Sequence, residues 1–349
     1  MAYTNINKSK EHFNTKTYTG TGSSNSQTDI GHQPDLVWVK SRSAGWDHEW
    51  YDAVRGVGKS LSSVTTSAES NSPQGVTAFD SDGFTVGTRS GVNENNSTYV
   101  SWNWKANGAG SSNTDGSITS TVSANTTSGF SIATYTGTGS NATVGHGLGV
   151  TPKMIIVKNL IDAEPWIVYH AGIDATAPQD YHVRLNTTDA RVDEAAIWND
   201  TAPTSSVFSL GSSGAPNGSG DNHIAYCFAD VPGYSKFGSY TGNGNADGTF
   251  VYLGFKPAFV MTKEWEGTSD WYINDTTRDF NGTYGNDASL LANTSGAEFT
   301  SSSLNVDMLS NGFKLRSANP STNEVAGYIY MAFAEAPLVG TNNVPATAR

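Results

Sequence analysis

The sequence predicts an all-β protein built from three tandem antiparallel β-sandwich modules. Three observations carry that expectation. Strand-forming residues occur in short blocks broken by Gly, Asn and Asp, and long runs of Ala, Leu, Glu and Lys at helical spacing are missing. The chain of 349 residues holds 14 Phe, 15 Tyr and 9 Trp, which gives such modules large side chains to bury and argues against disorder in a Gly/Ser/Asn-rich chain. Finally, Tyr18-Thr19-Gly20-Thr21-Gly22 returns as Tyr135-Thr136-Gly137-Thr138-Gly139 and as Tyr240-Thr241-Gly242-Asn243-Gly244.

Each copy is followed by a proline and an apolar run closed by lysine, at Pro34 to Lys40, Pro152 to Lys158 and Pro257 to Lys263. The tyrosines shift by 117 and 105 residues between copies and the prolines by 118 and 105, so two features move together as one repeat. A unit of this length far exceeds a solenoid repeat and can hold its own core, so the modules are expected as beads on a string.

In chain order, residues 1–12 form a polar N-terminal arm, either docked or frayed. Module 1 spans 13–109, and its Trp-rich patch at 46–52 is matched at 165–170 and 270–275. Alternation there fits half-buried strands. A leucine-led segment follows in each copy, then Asp82-Gly83 or Asn311-Gly312 as a turn opening a strand. Each module closes on an aromatic strand with large residues on one face, placed at the centre of a sheet. Residues 110–129 read as a flexible Ser/Thr/Gly-rich linker. Module 2 spans 130–232, module 3 spans 233–338, and 339–349 is a C-terminal tail. The short connection at 231–236 makes modules 2 and 3 a rigid pair and leaves module 1 free to pivot. Six to eight short strands per module fit a jelly-roll-like, concanavalin-like or Ig-like sandwich; long loops and the lack of a Cys…Trp…Cys pattern favour the jelly-roll.

The net charge of −12 and a pI near 4.9 disfavour nucleic acid or an anionic membrane surface as partner. No apolar run is long enough for membrane insertion, and the polar start of the sequence lacks the apolar stretch of a signal peptide. Cys227, the one cysteine, lies in an apolar strand and reads as a buried inert thiol.

Chemistry is sparse. Glu69 and Glu298 are matched acids, with Asp189 nearby in module 2, and a matched residue is more often structural than catalytic. His32 and His146 stand where module 3 has Phe255, which marks a packing position, and no His or Cys spacing suits zinc. Asp80-Ser81-Asp82-Gly83 lacks the further oxygens of a calcium loop and reads as a turn. No catalytic residue, cofactor or metal is expected, and the chain is not read as an enzyme. Trp46, Trp50, Trp198 and Trp265 lie in or near loops and are candidates for glycan or interface contact.

Several segments carry a resemblance to a known family: Asn14 to Gly20, Trp102 to Ala106, Asp115 to Asn125, Gly145 to Lys158 and Ser235 to Gly244. The chain resembles a repeat-bearing group of virion structural, tail-fibre-like proteins encoded by tailed phages of marine bacteria. The resemblance covers nearly the whole chain and carries no catalytic residues. It implies a virion protein made in the host cytoplasm, most simply a tail fibre or tail-associated appendage serving assembly and host-surface attachment. Its partners would be other virion proteins, further copies of itself (a trimer, by analogy) and a host cell-surface glycan. A capsid decoration protein is the alternative, and a glycan-degrading depolymerase the third reading.

Overall fold

The computed structural model describes residues 4–278 and 287–336. The fold is all-β, with antiparallel sheets assembled into sandwich modules. Every module is organised around one strand pair. Phe13–Thr19 runs antiparallel to Thr98–Trp104, from Phe13 opposite Trp104 to Thr19 opposite Thr98. The proline-led strand Leu36–Ser41 takes the other side of the closing strand, and Glu49–Asp52 and Lys59–Ser62 continue outward. Modules 2 and 3 repeat the arrangement. Phe130–Thr136 pairs with Asn222–Phe228, and Ser235–Thr241 with Gly327–Ala336. The closing strand is thus flanked on both sides in each large sheet. It lies near the middle in module 2 but second from the edge in modules 1 and 3, where its aromatic alternation predicts a central place.

A smaller sheet covers one face of each large one. In module 1 it comprises Asn25–Gln27, Gly83–Val86 and Val76–Asp80; in module 3, Phe250–Tyr252, Gly312–Leu315 and Val306–Leu309. Module 2 has Ala142–Gly145 paired with Val207–Leu210. Between the two layers of module 1 lie Val37, Val39, Tyr51, Phe84 and Tyr99, and modules 2 and 3 have their own equivalents.

The opposite faces of the large sheets do not meet water. Because strand side chains alternate, Leu36, Trp38, Trp50, Trp102 and Trp104 project away from the module 1 sandwich. They join Met154, Ile156, Tyr226 and Phe228 of module 2, and Phe259, Met261, Met331 and Phe333 of module 3, in one continuous core. Three residues at the same position of the closing strands mark its centre. Trp104 lies 6.3 Å from Phe228 and 5.7 Å from Phe333, ring centroid to centroid, and Phe228 lies 6.3 Å from Phe333. The modules are therefore not beads on a string, and module 1 is not free to pivot: three sheets, each apolar on both faces, close around a pseudo-threefold axis.

The linker assigned to 110–129 is also corrected. Ser111–Asn113 and Ser120–Asn125 are strands that extend the large sheet of module 2, with Ser120 opposite Tyr135 and Asn125 opposite Phe130. The N-terminal arm is docked on its own chain from residue 4 onward: Ile6 lies in the central core and the Lys105 amide donates to the His12 carbonyl at 2.9 Å. The tail at 339–349 lies outside the described residues.

Candidate functional site

The repeated Tyr-Thr-Gly-x-Gly stretch is a structural lock. Three buried asparagines, Asn93, Asn217 and Asn323, each end a four-residue helical turn. Their Oδ1 atoms accept from the amides of Thr21, Thr138 and Asn243, the variable residue of each motif, at 2.9, 2.8 and 3.1 Å. Nδ2 of Asn217 donates to the carbonyls of Ser140 and Gly211, both at 2.7 Å, and the other two copies repeat the pattern. The motif tyrosines donate to the carbonyl just before each asparagine: Tyr18 to Val92, Tyr135 to Pro216 and Tyr240 to Thr322, at 2.7, 2.7 and 2.8 Å. The first glycine is required by space, since a Cβ at Gly20, Gly137 or Gly242 would collide with the carbonyl of Glu94, Gly218 or Glu324. The second adopts a positive φ of 67°, 67° and 63° in the three copies. No ligand loop is formed here.

The joints between modules form a closed cycle. Tyr226 of module 2 donates to Asp52 of module 1 at 2.9 Å, and Trp102 of module 1 donates to Asp275 of module 3 at 3.0 Å. His170 of module 2, at the position of those aspartates, bonds the Tyr330 carbonyl of module 3 at 3.1 Å. A second tier follows the same order: Trp166 Nε1 donates to the Ser62 carbonyl and Trp271 Nε1 to the Arg184 carbonyl, at 2.8 and 2.9 Å. At the two aspartate joints an arginine satisfies the buried charge. Arg55 reaches Asp52 at 2.6 Å and Glu69 at 3.1 Å, while Arg278 reaches Asp275 at 2.5 Å and Glu298 at 3.2 Å. Glu69 and Glu298 are thus partners in buried ion networks, which accounts for their matching between copies.

The repeated lysines behave alike. Lys40, Lys158 and Lys263 are buried, and each donates Nζ to the carbonyl of the next residue, at 2.7, 2.6 and 2.6 Å. Burial lowers each ammonium to about 8. Cys227 is buried, with its thiol pushed up to about 12 by burial. The Asp82 carboxylate accepts from the Gly31 amide at 2.7 Å and the Asp29 amide at 3.2 Å, as a turn residue does. Among the described residues no group of three or more His, Cys, Asp or Glu is placed to hold a metal ion.

The four candidate tryptophans separate. Trp50, 1 % exposed, belongs to the central core against Trp166 and Tyr226, and Trp198, 2 % exposed, packs on Tyr169 inside module 2. Neither can offer a platform to a ligand. Trp265 is half-buried at the joint of modules 2 and 3, where the Arg191 guanidinium lies 4.1 Å from its ring and 4.1 Å from that of Tyr181. It is an internal interface residue. Trp46 alone is exposed, at 39 %, with its indole Nε1 held by Glu94 Oε2 at 3.0 Å.

Beside Trp46 in the chain, Asp47 lines a cavity of about 260 Å³ in module 1, together with Glu49, Ser60, Thr65, Ser67 and Arg89. Glu49 comes from the strand Glu49–Asp52, and Arg89 caps the turn Ser90–Asn93. Arg89 Nε lies 2.7 and 2.9 Å from the two Glu49 oxygens, and the Tyr51 hydroxyl donates to the same carboxylate. Burial raises the Glu49 carboxyl above the usual range, with Arg89 opposing. Ser62 donates to Asp47 at 3.0 Å. A Cβ at Gly91 would collide with the Glu49 carboxylate, so glycine at that position keeps the acid in place.

The model of one family spans all three modules, matching residues 8–337 and described as a domain of unknown function, DUF7483. The chain belongs to the DUF7483 family. No curated protein matches it. The DUF7483 match covers all three of the modules that meet in the shared core. Two features of this DUF7483 chain escape a reading of the sequence by repeats. The asparagine lock joins residues far apart in the chain, and its only local signal is an asparagine six residues beyond Gly87, Gly211 or Ser317. The cavity is signalled by Glu49, a carboxylate at the strand position held by Ile167 and Tyr272 in the other copies.

Proposed function

We propose that this DUF7483 chain is a structural protein of a tailed-phage virion, a tail fibre or tail-associated appendage with parts in assembly and host-surface attachment. The resemblance of its repeat segments to such proteins supports the reading. The observation that carries it is the closed pseudo-threefold body, centred on Trp104, Phe228 and Phe333. One chain presents three near-equivalent faces about one axis, the geometry needed to seat coaxially on a threefold-symmetric partner. The homotrimer expected by analogy would then stack three such bodies or supply that partner. The same body would also fit a threefold position on a capsid, so head decoration is the second reading. Depolymerase activity is the weaker third, because Glu69 and Glu298 are engaged by arginines.

Immunogold labelling of intact particles tests the proposal. Gold on the tail is the expected result, and gold on the head selects decoration instead. Absence of the chain from purified particles overturns both virion readings.

A further inference from the structure

We infer that the cavity of module 1 is a binding site for one neutral pyranose sugar, the terminal ring of a larger saccharide. The inference goes beyond the virion reading and does not depend on where the chain resides. Its starting point is an internal comparison. The three modules share their motif lock, buried lysines and central core, whereas Glu49 and Arg89 are replaced by Ile167 and Ser213 in module 2 and by Tyr272 and Asn319 in module 3, and Asp47, kept as Asp270 in module 3, is Pro165 in module 2. Architecture common to all copies therefore does not require these side chains together.

Their chemistry suits a sugar. The volume of about 260 Å³ equals the share of roughly nine waters at about 30 Å³ each, enough for a single ring. Carboxylate acceptors, guanidinium donors and the two-way hydroxyls of Ser60, Thr65 and Ser67 line it. A sugar hydroxyl both donates and accepts, so it is satisfied by this alternation. Two carboxylates against one guanidinium leave the walls negative, and the chain as a whole carries −12, which selects against uronic acids, sialic acids and phosphates. Glu49 has both oxygens engaged by Arg89 and also accepts from Tyr51. It fixes the guanidinium in advance and is not free to deliver a proton, so the site binds without cleaving.

Saturation-transfer NMR on the full chain tests this, using methyl glycosides of glucose, galactose, mannose and N-acetylglucosamine, with glucuronate as the charged control. At least one neutral glycoside should receive transfer and glucuronate none. Asp47→Asn removes a charged acceptor, and Ala68→Trp, on the cavity wall, fills the space. Each should weaken binding about tenfold or more, the scale of losing a charged hydrogen bond or the volume itself. Asp270→Asn, the matched change in module 3, should leave binding unaltered. No transfer to any neutral glycoside, equal transfer to glucuronate, or binding that survives both module 1 changes overturns the inference. So does release of reducing ends from an oligosaccharide that binds.

Discussion

At the scale of single residues, three asparagines hold what the repeated glycines only permit. Asn217 is fully buried and spends its amide on three backbone groups, the Thr138 amide and the Ser140 and Gly211 carbonyls. Asn217→Ala would strand all three without admitting water. The expected loss is roughly 2–4 kcal/mol, from about 1 kcal/mol or more for each buried group left unpaired, read as a lower denaturation midpoint in urea. A loss below about 0.5 kcal/mol, the ordinary range of surface changes, would show that the lock is ornamental. The motif was legible as a module marker because it repeats. Its mechanism was not, because the partner asparagine sits at a different distance in each copy: 75 residues beyond Tyr18, but 82 beyond Tyr135 and 83 beyond Tyr240.

At the scale of elements, the segment between modules 1 and 2 shows how composition misleads. Its Ser, Thr and Gly content reads as flexible, yet Ser120–Asn125 pairs along its whole length with Phe130–Thr136. Polar residues are accommodated in this strand: Ser120, Val122 and Ser123 are buried while Thr121 is exposed. The segment is also pinned to module 1, through the Asn107 amide to Ser123 Oγ at 2.8 Å and Asn125 Nδ2 to the Lys105 carbonyl at 3.2 Å. Hydrogen exchange should find the amides of 120–125 protected on the same time scale as those of 130–136. Exchange there as fast as in an unstructured peptide would restore the linker. Strand type and order were readable from alternation and turn dipeptides. The burial of both sheet faces was not assigned, although Trp38, Trp102 and Trp104 share the face opposite Val37 and Val39.

At the scale of the whole molecule, the shared core makes the ring one cooperative unit. Calorimetry of the full chain should show one main unfolding transition, in place of three separable ones. Module 1 expressed alone, residues 13–109, would expose Trp38, Trp50, Trp102 and Trp104 together. Such a surface far exceeds what monomers leave open, so the fragment should aggregate or bind hydrophobic dye; a soluble, well-folded fragment would contradict the shared core. The cycle of joints has a further consequence. In a ring of three separate, identical chains every seam must be the same, and no subunit has an address. Here the seams differ: tyrosine on aspartate, tryptophan on aspartate, and histidine on a carbonyl. Each works as a key cut for one lock, so a chain with modules 2 and 3 transposed would set Trp102 against His170 and the Tyr330 carbonyl against the Asp52 carboxylate, two pairs that do not fit. The symmetry of the backbone hides an order written into the seams.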